Sequence, residues 1–68
     1  MPLVEVYVEG DDLQPLFVGT FDFMPRIGEH VSRDVGGYFA YYNVVKAWHR
    51  QDGEEAPFRA CLLVELDD

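Results

Sequence analysis

The stretch Tyr38-Phe39-Ala40-Tyr41-Tyr42-Asn43-Val44-Val45-Lys46-Ala47-Trp48-His49 carries apolar side chains at both odd and even positions. Successive side chains of a strand point to opposite faces, so one strict register that keeps Tyr42 and Val44 inside would also bury Lys46. A one-residue bulge near Val45–Lys46 removes this conflict, because Lys46 then faces solvent and the inward positions resume at Ala47. Such a bulge bends its strand, as a small barrel requires in order to close.

The rest of the chain also alternates with period two, which is typical of strands with one buried face. Turns rich in glycine, proline and aspartate separate the segments. The predicted strands are Leu3–Glu9, Leu16–Phe23, His30–Arg33, Tyr38–His49 and Phe58–Leu66. Five short, closely spaced strands predict an all-β fold, a small antiparallel sheet that is strongly bent. A helix over Val35–Val45, or a single helical turn at Asp11–Pro15, remains an alternative.

The same alternation predicts which side chains are buried. In the first strand Val4, Val6 and Val8 share one face, and in the last strand Phe58, Ala60, Leu62, Val64 and Leu66 face inward. The aromatic residues expected to fill the core are Phe17, Phe21, Phe23, Tyr42 and Phe58. The residues of the last strand expected to point outward are Arg59, Cys61, Leu63 and Glu65.

Length and charge bound the function. The 68 residues allow one domain, and five Lys and Arg against thirteen Asp and Glu give a net charge of −8. This charge argues against a protein that binds duplex DNA or an anionic membrane, since both need positive charge facing phosphate. An acidic surface could instead imitate nucleic acid and inhibit a DNA- or RNA-binding protein. Apolar residues make up 49% of the chain, which disfavours disorder.

The sequence also predicts a cytoplasmic location. Met1-Pro2-Leu3-Val4-Glu5 lacks the basic and apolar regions of a signal peptide, and no apolar run approaches a membrane span of roughly 20 residues. Cys61 is the single cysteine, which fits a reducing compartment and leaves no disulfide within one chain. A chain this short buries only about 60% of the surface that its unfolded form exposes, so self-association is an open expectation.

One pattern resembles a known class of protein. Its residues are Pro25, Gly28, Glu29, Val31, Gly37, Tyr42, Val44, Ala47 and His49. In this order they are similar to short uncharacterised bacterial domains that resemble small SH3-like barrels. The resemblance implies a partly open barrel of that kind and no activity, because fold and function separate freely. Ala47 stands where the pattern usually has a larger apolar residue.

Few residues suggest chemistry. Zinc sites use three or four ligands, and His30, His49 and Cys61 do not show the usual spacing. The bulge turns His49 toward the core, within plausible reach of Asp52, whereas the alternation of the last strand points Cys61 away from the core. Ser32 and Thr20 have no recognisable base beside them. The acidic pairs, which are Asp11-Asp12, Glu54-Glu55 and Asp67-Asp68, look solvated. The sequence therefore predicts no enzyme, metal or cofactor, with a small ligand- or metal-binding protein as a distant alternative.

The outer face of the fourth strand is the most informative feature. After the bulge, Phe39, Tyr41 and Trp48 lie outside the core, beside Leu63 and Cys61 of the last strand. A loop or the first strand could cover them; otherwise they form an interface, where Tyr and Trp are enriched. Our leading hypothesis is a non-enzymatic protein-interaction module, self-associating as a homodimer through this face or an unpaired strand edge. Single-stranded nucleic acid is disfavoured because only three basic residues, Lys46, Arg50 and Arg59, lie nearby.

Overall fold

The computed structural model describes residues 2–11 and 13–67, which form five β-strands. These are β1 (Leu3–Val8), β2 (Phe17–Thr20), β3 (His30–Asp34), β4 (Phe39–Gln51) and β5 (Phe58–Leu66). The expectations that involve Met1, Asp12 and Asp68, including the helical turn at Asp11–Pro15, lie outside the described residues. The alternative helix over Val35–Val45 is wrong, because β4 occupies most of it. Within the described ranges there is no helix of the length and hydrophobicity that a membrane crossing requires.

The strands form one sheet in the order β2-β1-β5-β4-β3, which curls through 250° into a half-barrel. The predicted all-β class and the strongly bent, partly open sheet are confirmed. Three pairings are antiparallel, but β1 and β5 run parallel, with Val4 opposite Ala60 and Val8 opposite Val64, so the sheet is mixed. Short turns favour antiparallel pairing only between consecutive strands. The chain between β1 and β5 is long enough to return in the parallel sense.

The predicted bulge is present. Val44 lies opposite Val64, whereas Lys46 lies opposite Leu63, so the register shifts across Val45. Tyr42 and Val44 are buried before the shift, and Lys46 is exposed after it. The bulge therefore keeps a charged side chain out of the core within a strand of thirteen residues.

The core is a single cluster of alternating inward side chains. Its buried members are Val4, Val6, Tyr42, Val44, Ala60, Leu62 and Val64. Phe17, Phe21 and Val31 are half-buried and pack against this cluster. The center of the half-barrel is thus filled by β1, β5 and β4, and its margins by the two edge strands.

Two of the predicted core aromatics are wrong. Phe23 is 65% exposed and Phe58 is 66% exposed. Phe23 lies beyond the end of β2, in the loop before β3. Phe58 starts β5 two residues before Ala60, where the pairing with β1 begins, so β1 does not cover it. His49 lies opposite the core residue Ala60 and so has the predicted face, but it is exposed because it lies near the same end of the sheet. Leu66, which the alternation also places on the core face, is 56% exposed at the other end of β5.

The edge strands β2 and β3 leave one side of the half-barrel open. No Cα atom of β2 comes within 8 Å of a Cα atom of β3. A side chain bridges this gap, since the guanidinium carbon of Arg33 lies 4.5 Å from the centroid of the Phe17 ring. The accessible surface of 4874 Å² exceeds the roughly 4400 Å² expected for a closed monomer of this mass.

The difference between the predicted and observed cores can be tested on β5. Leu62→Ala should lower the free energy of unfolding by about 2–5 kcal/mol, because Leu62 is fully buried among packed neighbours. This loss is a large part of the roughly 3–10 kcal/mol expected for a chain of this length. The exposed Phe58 is the matched control on the same strand, and Phe58→Ala should change stability by less than about 1 kcal/mol. Urea unfolding followed by circular dichroism measures both; equal losses would contradict this core.

Candidate interaction surface

The outer face of the sheet, opposite the core, brings β1, β5 and β4 side chains into rows. One row crosses the sheet from Glu5 through Cys61 to Trp48, and the next crosses from Tyr7 through Leu63 to Lys46. Arg50 and Arg59 face each other one step beyond the first row. The parallel pairing of β1 with β5 therefore places an acid and a tyrosine beside two arginines from the other end of the sequence.

Glu5, Tyr7 and Arg50 form a closed hydrogen-bonded triangle. Arg50 donates from Nη1 to the Tyr7 hydroxyl at 2.6 Å and from Nη2 to Glu5 Oε1 at 2.9 Å. The Tyr7 hydroxyl donates to the same Glu5 oxygen at 2.8 Å. Glu5 and Tyr7 are both buried, so these bonds satisfy polar groups that would otherwise be costly to desolvate.

Asp52 and Arg59 extend the triangle toward solvent. Arg50 Nε lies 3.0 Å from Asp52 Oδ1, and Arg59 Nε lies 3.5 Å from Asp52 Oδ2. Arg59 also reaches back to the second oxygen of Glu5 at 3.4 Å. Two acids and two arginines thus alternate, so the positive charges of Arg50 and Arg59, which lie opposite each other, are both paired with carboxylates. We refer to Glu5, Tyr7, Arg50, Asp52 and Arg59 as the ion cluster.

The surroundings shift the ionisation of the buried members. The hydrogen bond from Tyr7, assisted by Arg50 and Arg59, lowers the pKa of Glu5, although burial acts in the opposite direction. Burial raises the pKa of Tyr7. Hydrogen bonds to Tyr7 and Asp52 raise the pKa of Arg50. Glu5 is therefore a carboxylate at neutral pH, with both oxygens engaged, in an arrangement that fixes the strands to one another.

Cys61 lies beneath this cluster. It is on the outer face, as the alternation predicted, but its side chain is completely buried. Sγ is 3.6 Å from the carbonyl oxygen of Arg59, and burial raises the pKa of the thiol. A neutral, buried thiol acts as a small apolar side chain in the packing of the sheet.

Trp48 covers the cluster on its other side. Its ring is half-buried and lies 5.9 Å from the Tyr7 ring, between ring centroids. Lys46 Nζ lies 5.4 Å from the Trp48 centroid, within the range of a cation–π contact. A shallow groove of about 300 Å³ follows this face, lined by Tyr7, Leu13, Lys46, Trp48, Arg50 and Leu63.

A second aromatic group lies at the start of β4. Phe39 and Tyr41 are 58% and 52% exposed, and their ring centroids are 6.5 Å apart. Tyr38 and Leu66 beside them are also more than half exposed. We refer to Tyr38, Phe39, Tyr41 and Leu66 as the aromatic patch. These residues line a groove of about 490 Å³ that also includes Leu16, Arg33 and Asp67.

The four residues that the sequence singled out as an interface thus fall into two places. Phe39 and Tyr41 belong to the aromatic patch, whereas Trp48 and Leu63 line the groove beside the ion cluster. Trp48 follows Tyr41 by seven positions along β4, which is roughly 23 Å at the usual strand rise. The aromatic patch is the more exposed of the two places, because Trp48 rests partly on Tyr7.

The histidines and acids are arranged differently from what the sequence suggested. Asp52 was expected within reach of His49, but it binds Arg50 and Arg59. His30 Nε2 lies 4.0 Å from Asp67 Oδ2 at the surface. Over residues 2–11 and 13–67, no three His, Cys, Asp or Glu side chains come together as a metal site would need.

No protein-family model, curated protein or solved structure matches this chain. The function must therefore be argued from the surface itself.

The ion cluster predicts how stability depends on pH. The pKa of Glu5 is lowered in the folded state, so its contribution is complete above the ordinary value of 4.5 and is lost as the pH falls through the lowered pKa. Glu5→Gln should cost about 1–3 kcal/mol at pH 7, through lost charged hydrogen bonds. The difference in the free energy of unfolding between this variant and the native chain should shrink as the pH falls below 4.5.

Urea unfolding at pH 7 and at steps below pH 4.5 measures this difference. Glu65→Gln is the matched control, since Glu65 is an exposed acid on β5 and its loss should change stability by less than about 0.5 kcal/mol at either pH. A Glu5→Gln effect that stays constant with pH would contradict the ionised, bridging role of Glu5.

Proposed function

We propose that this chain is a non-enzymatic protein-interaction module that pairs with a second copy of itself through the aromatic patch. The observation that carries the proposal is the exposure of Tyr38, Phe39, Tyr41 and Leu66 around one groove, which Asp34, opposite Phe39, and Asp67 border. Contiguous apolar surface of this kind marks interfaces, and tyrosine is enriched at their energetic centers.

The rim of the aromatic patch suits a second copy. Arg33 and Asp67 line the same groove and carry opposite charges. In a two-fold interface the same surface meets itself, so Arg33 of one copy can approach Asp67 of the other. The net charge of −8 opposes association only weakly, because physiological salt screens the repulsion between exposed charges that are more than about 8 Å apart.

The dimensions of the chain give a reason for association. Its radius of gyration is 12.2 Å, compared with about 11 Å for a compact domain of this length. The open side of the half-barrel and the aromatic patch leave apolar surface exposed to solvent that the small core does not bury. A partner that covers the aromatic patch adds buried apolar area to a domain that has little.

The other proposals have less support. The likeness to SH3-like bacterial barrels rests on the small, bent, five-stranded sheet and adds no activity. An acidic inhibitor that imitates nucleic acid has the net charge of −8 in its favour, but two of its carboxylates, those of Glu5 and Asp52, are already engaged with arginines. A small ligand would have the shallow groove beside Trp48, whose polar side chains already bind one another.

The self-association can be tested by sedimentation equilibrium. The native chain at 10–100 µM, about the range in which weak dimers form, should sediment above its monomer mass. The double variant Phe39→Ser and Tyr41→Ser should weaken association by tenfold or more, because it removes two exposed rings from the aromatic patch.

Phe23→Ser is the matched control, because Phe23 is an equally exposed aromatic residue outside the aromatic patch. It should leave the dissociation constant unchanged. A native chain that stays monomeric across this range, or a control that weakens association as much as the double variant, would rule out the aromatic patch as a homodimer interface.

A further inference from the structure

The curl of the sheet leaves room for one further strand between β2 and β3. The Cα atoms of β2 and β3 are all more than 8 Å apart. Hydrogen-bonded strands lie about 4.8 Å apart, so two strands that flank a third are separated by about 10 Å. The curl agrees with this width: five strands have four intervals, which span 250°. At that curvature six strands would complete a circle, and one is absent.

Both sides of the gap present unpaired backbone groups. In an antiparallel ladder alternate residues bond to the neighbouring strand, and those between them point away. The backbone N–H of Phe21 donates to the carbonyl of Pro2, so the residues of β2 that bond to β1 are the odd-numbered ones. The backbone N–H and C=O groups of Val18 and Thr20 therefore point into the gap. Val35 donates to Tyr38 in the same way, so His30 and Ser32 of β3 face the gap from the other side.

We infer that this gap is a docking slot for one extended segment of a partner protein, which enters as a sixth strand. The segment would occupy four or five residues, the lengths of β2 and β3. Adding a strand to an exposed sheet edge is a common mode of peptide recognition, in which backbone bonds supply affinity and alternate side chains supply specificity. Here two edges are offered at once.

The side chains around the slot indicate the chemistry of its occupant. Phe17, Phe21 and Val31 are half-buried along its inner side. They would receive apolar side chains at alternate positions once the Arg33 guanidinium, which rests on the Phe17 ring, moves aside. β2 contains no charged residue at all. Acidic residues lie at both ends of the slot, Asp22 and Glu29 near the β2–β3 loop and Asp34 at the opposite end. The occupant is therefore apolar at its center and basic at its ends.

A second copy of this chain does not fit the slot. The free edges of a copy are β2 and β3, and each is bonded to its own sheet. A strand that is still part of a sheet cannot enter a gap one strand wide. The slot and the aromatic patch therefore take different partners, although Arg33 lies at the border of both.

The test selects binders from a library of random peptides of about seven residues, which leaves room for a charge at each end of the slot. The native chain is compared with the double variant Val18→Pro and Ser32→Pro. Each proline removes one N–H that faces the gap and leaves the existing ladder bonds intact. The matched control is Val18→Ala and Ser32→Ala, which keeps both N–H groups.

The native chain and the alanine control should enrich peptides with alternating apolar residues and Lys or Arg at both ends. The proline variant should bind the selected peptide at least tenfold more weakly. Binding should also weaken about tenfold between 0.05 M and 0.5 M salt, because the flanking contacts are exposed ion pairs. Circular dichroism establishes that both variants are folded.

If the proline variant does not fold, backbone NMR of the native chain with the selected peptide replaces the comparison, and the amide signals of Val18, Thr20 and Ser32 should shift most. Absence of enrichment by the native chain, enrichment of acid-ended peptides, or equal binding by a folded proline variant would overturn the slot. The Phe39→Ser and Tyr41→Ser variant should still select the same peptides, because neither substitution lies in the slot. Peptide selection therefore tests the slot whether or not the chain forms a homodimer.

Discussion

The parallel pairing of β1 with β5 is the constraint on which the rest of the structure depends. It puts the first and last strands side by side at the center of the sheet, where Val4 and Val6 meet Ala60 and Leu62 on the core face. On the opposite face the same pairing brings Glu5 to the arginines of β4 and β5. It also sends β2 and β3 to the two edges, so the open side of the half-barrel follows from it.

What the sequence could predict depends on whether a pattern is local. Lys46 between apolar neighbours requires a bulge, because no other register avoids burying its charge, and the bulge is where it was predicted. The all-β class follows from alternation and turn chemistry in the same local way. The pairing of β1 with β5 is not local: no turn joins the two strands, and period two assigns Glu5 to a face without naming the neighbour that would cover it.

The aromatic residues show a second limit of the same kind. Alternation put Phe58 on the core face, but whether a side chain is buried depends on how far the neighbouring strand extends, and β1 stops short of it. Tyr7 shows the converse, since it lies on the outer face and is buried beneath Trp48 and Arg50. The sequence therefore found the excess of apolar side chains outside the core and not their division into two surfaces.

The ion cluster determines where the net charge of the chain lies. Glu5 and Asp52 neutralise Arg50 and Arg59, so the cluster carries no net charge. Of the thirteen acids and five bases, eleven acids and three bases remain, and they carry the whole net charge of −8. The surface outside the cluster therefore has eleven acids for three bases, compared with thirteen for five in the whole chain. A homodimer formed through the aromatic patch would bring together few of these acids, Asp34 and Asp67 at its border, whereas a strand entering between β2 and β3 passes acids at both ends and gains from basic flanks.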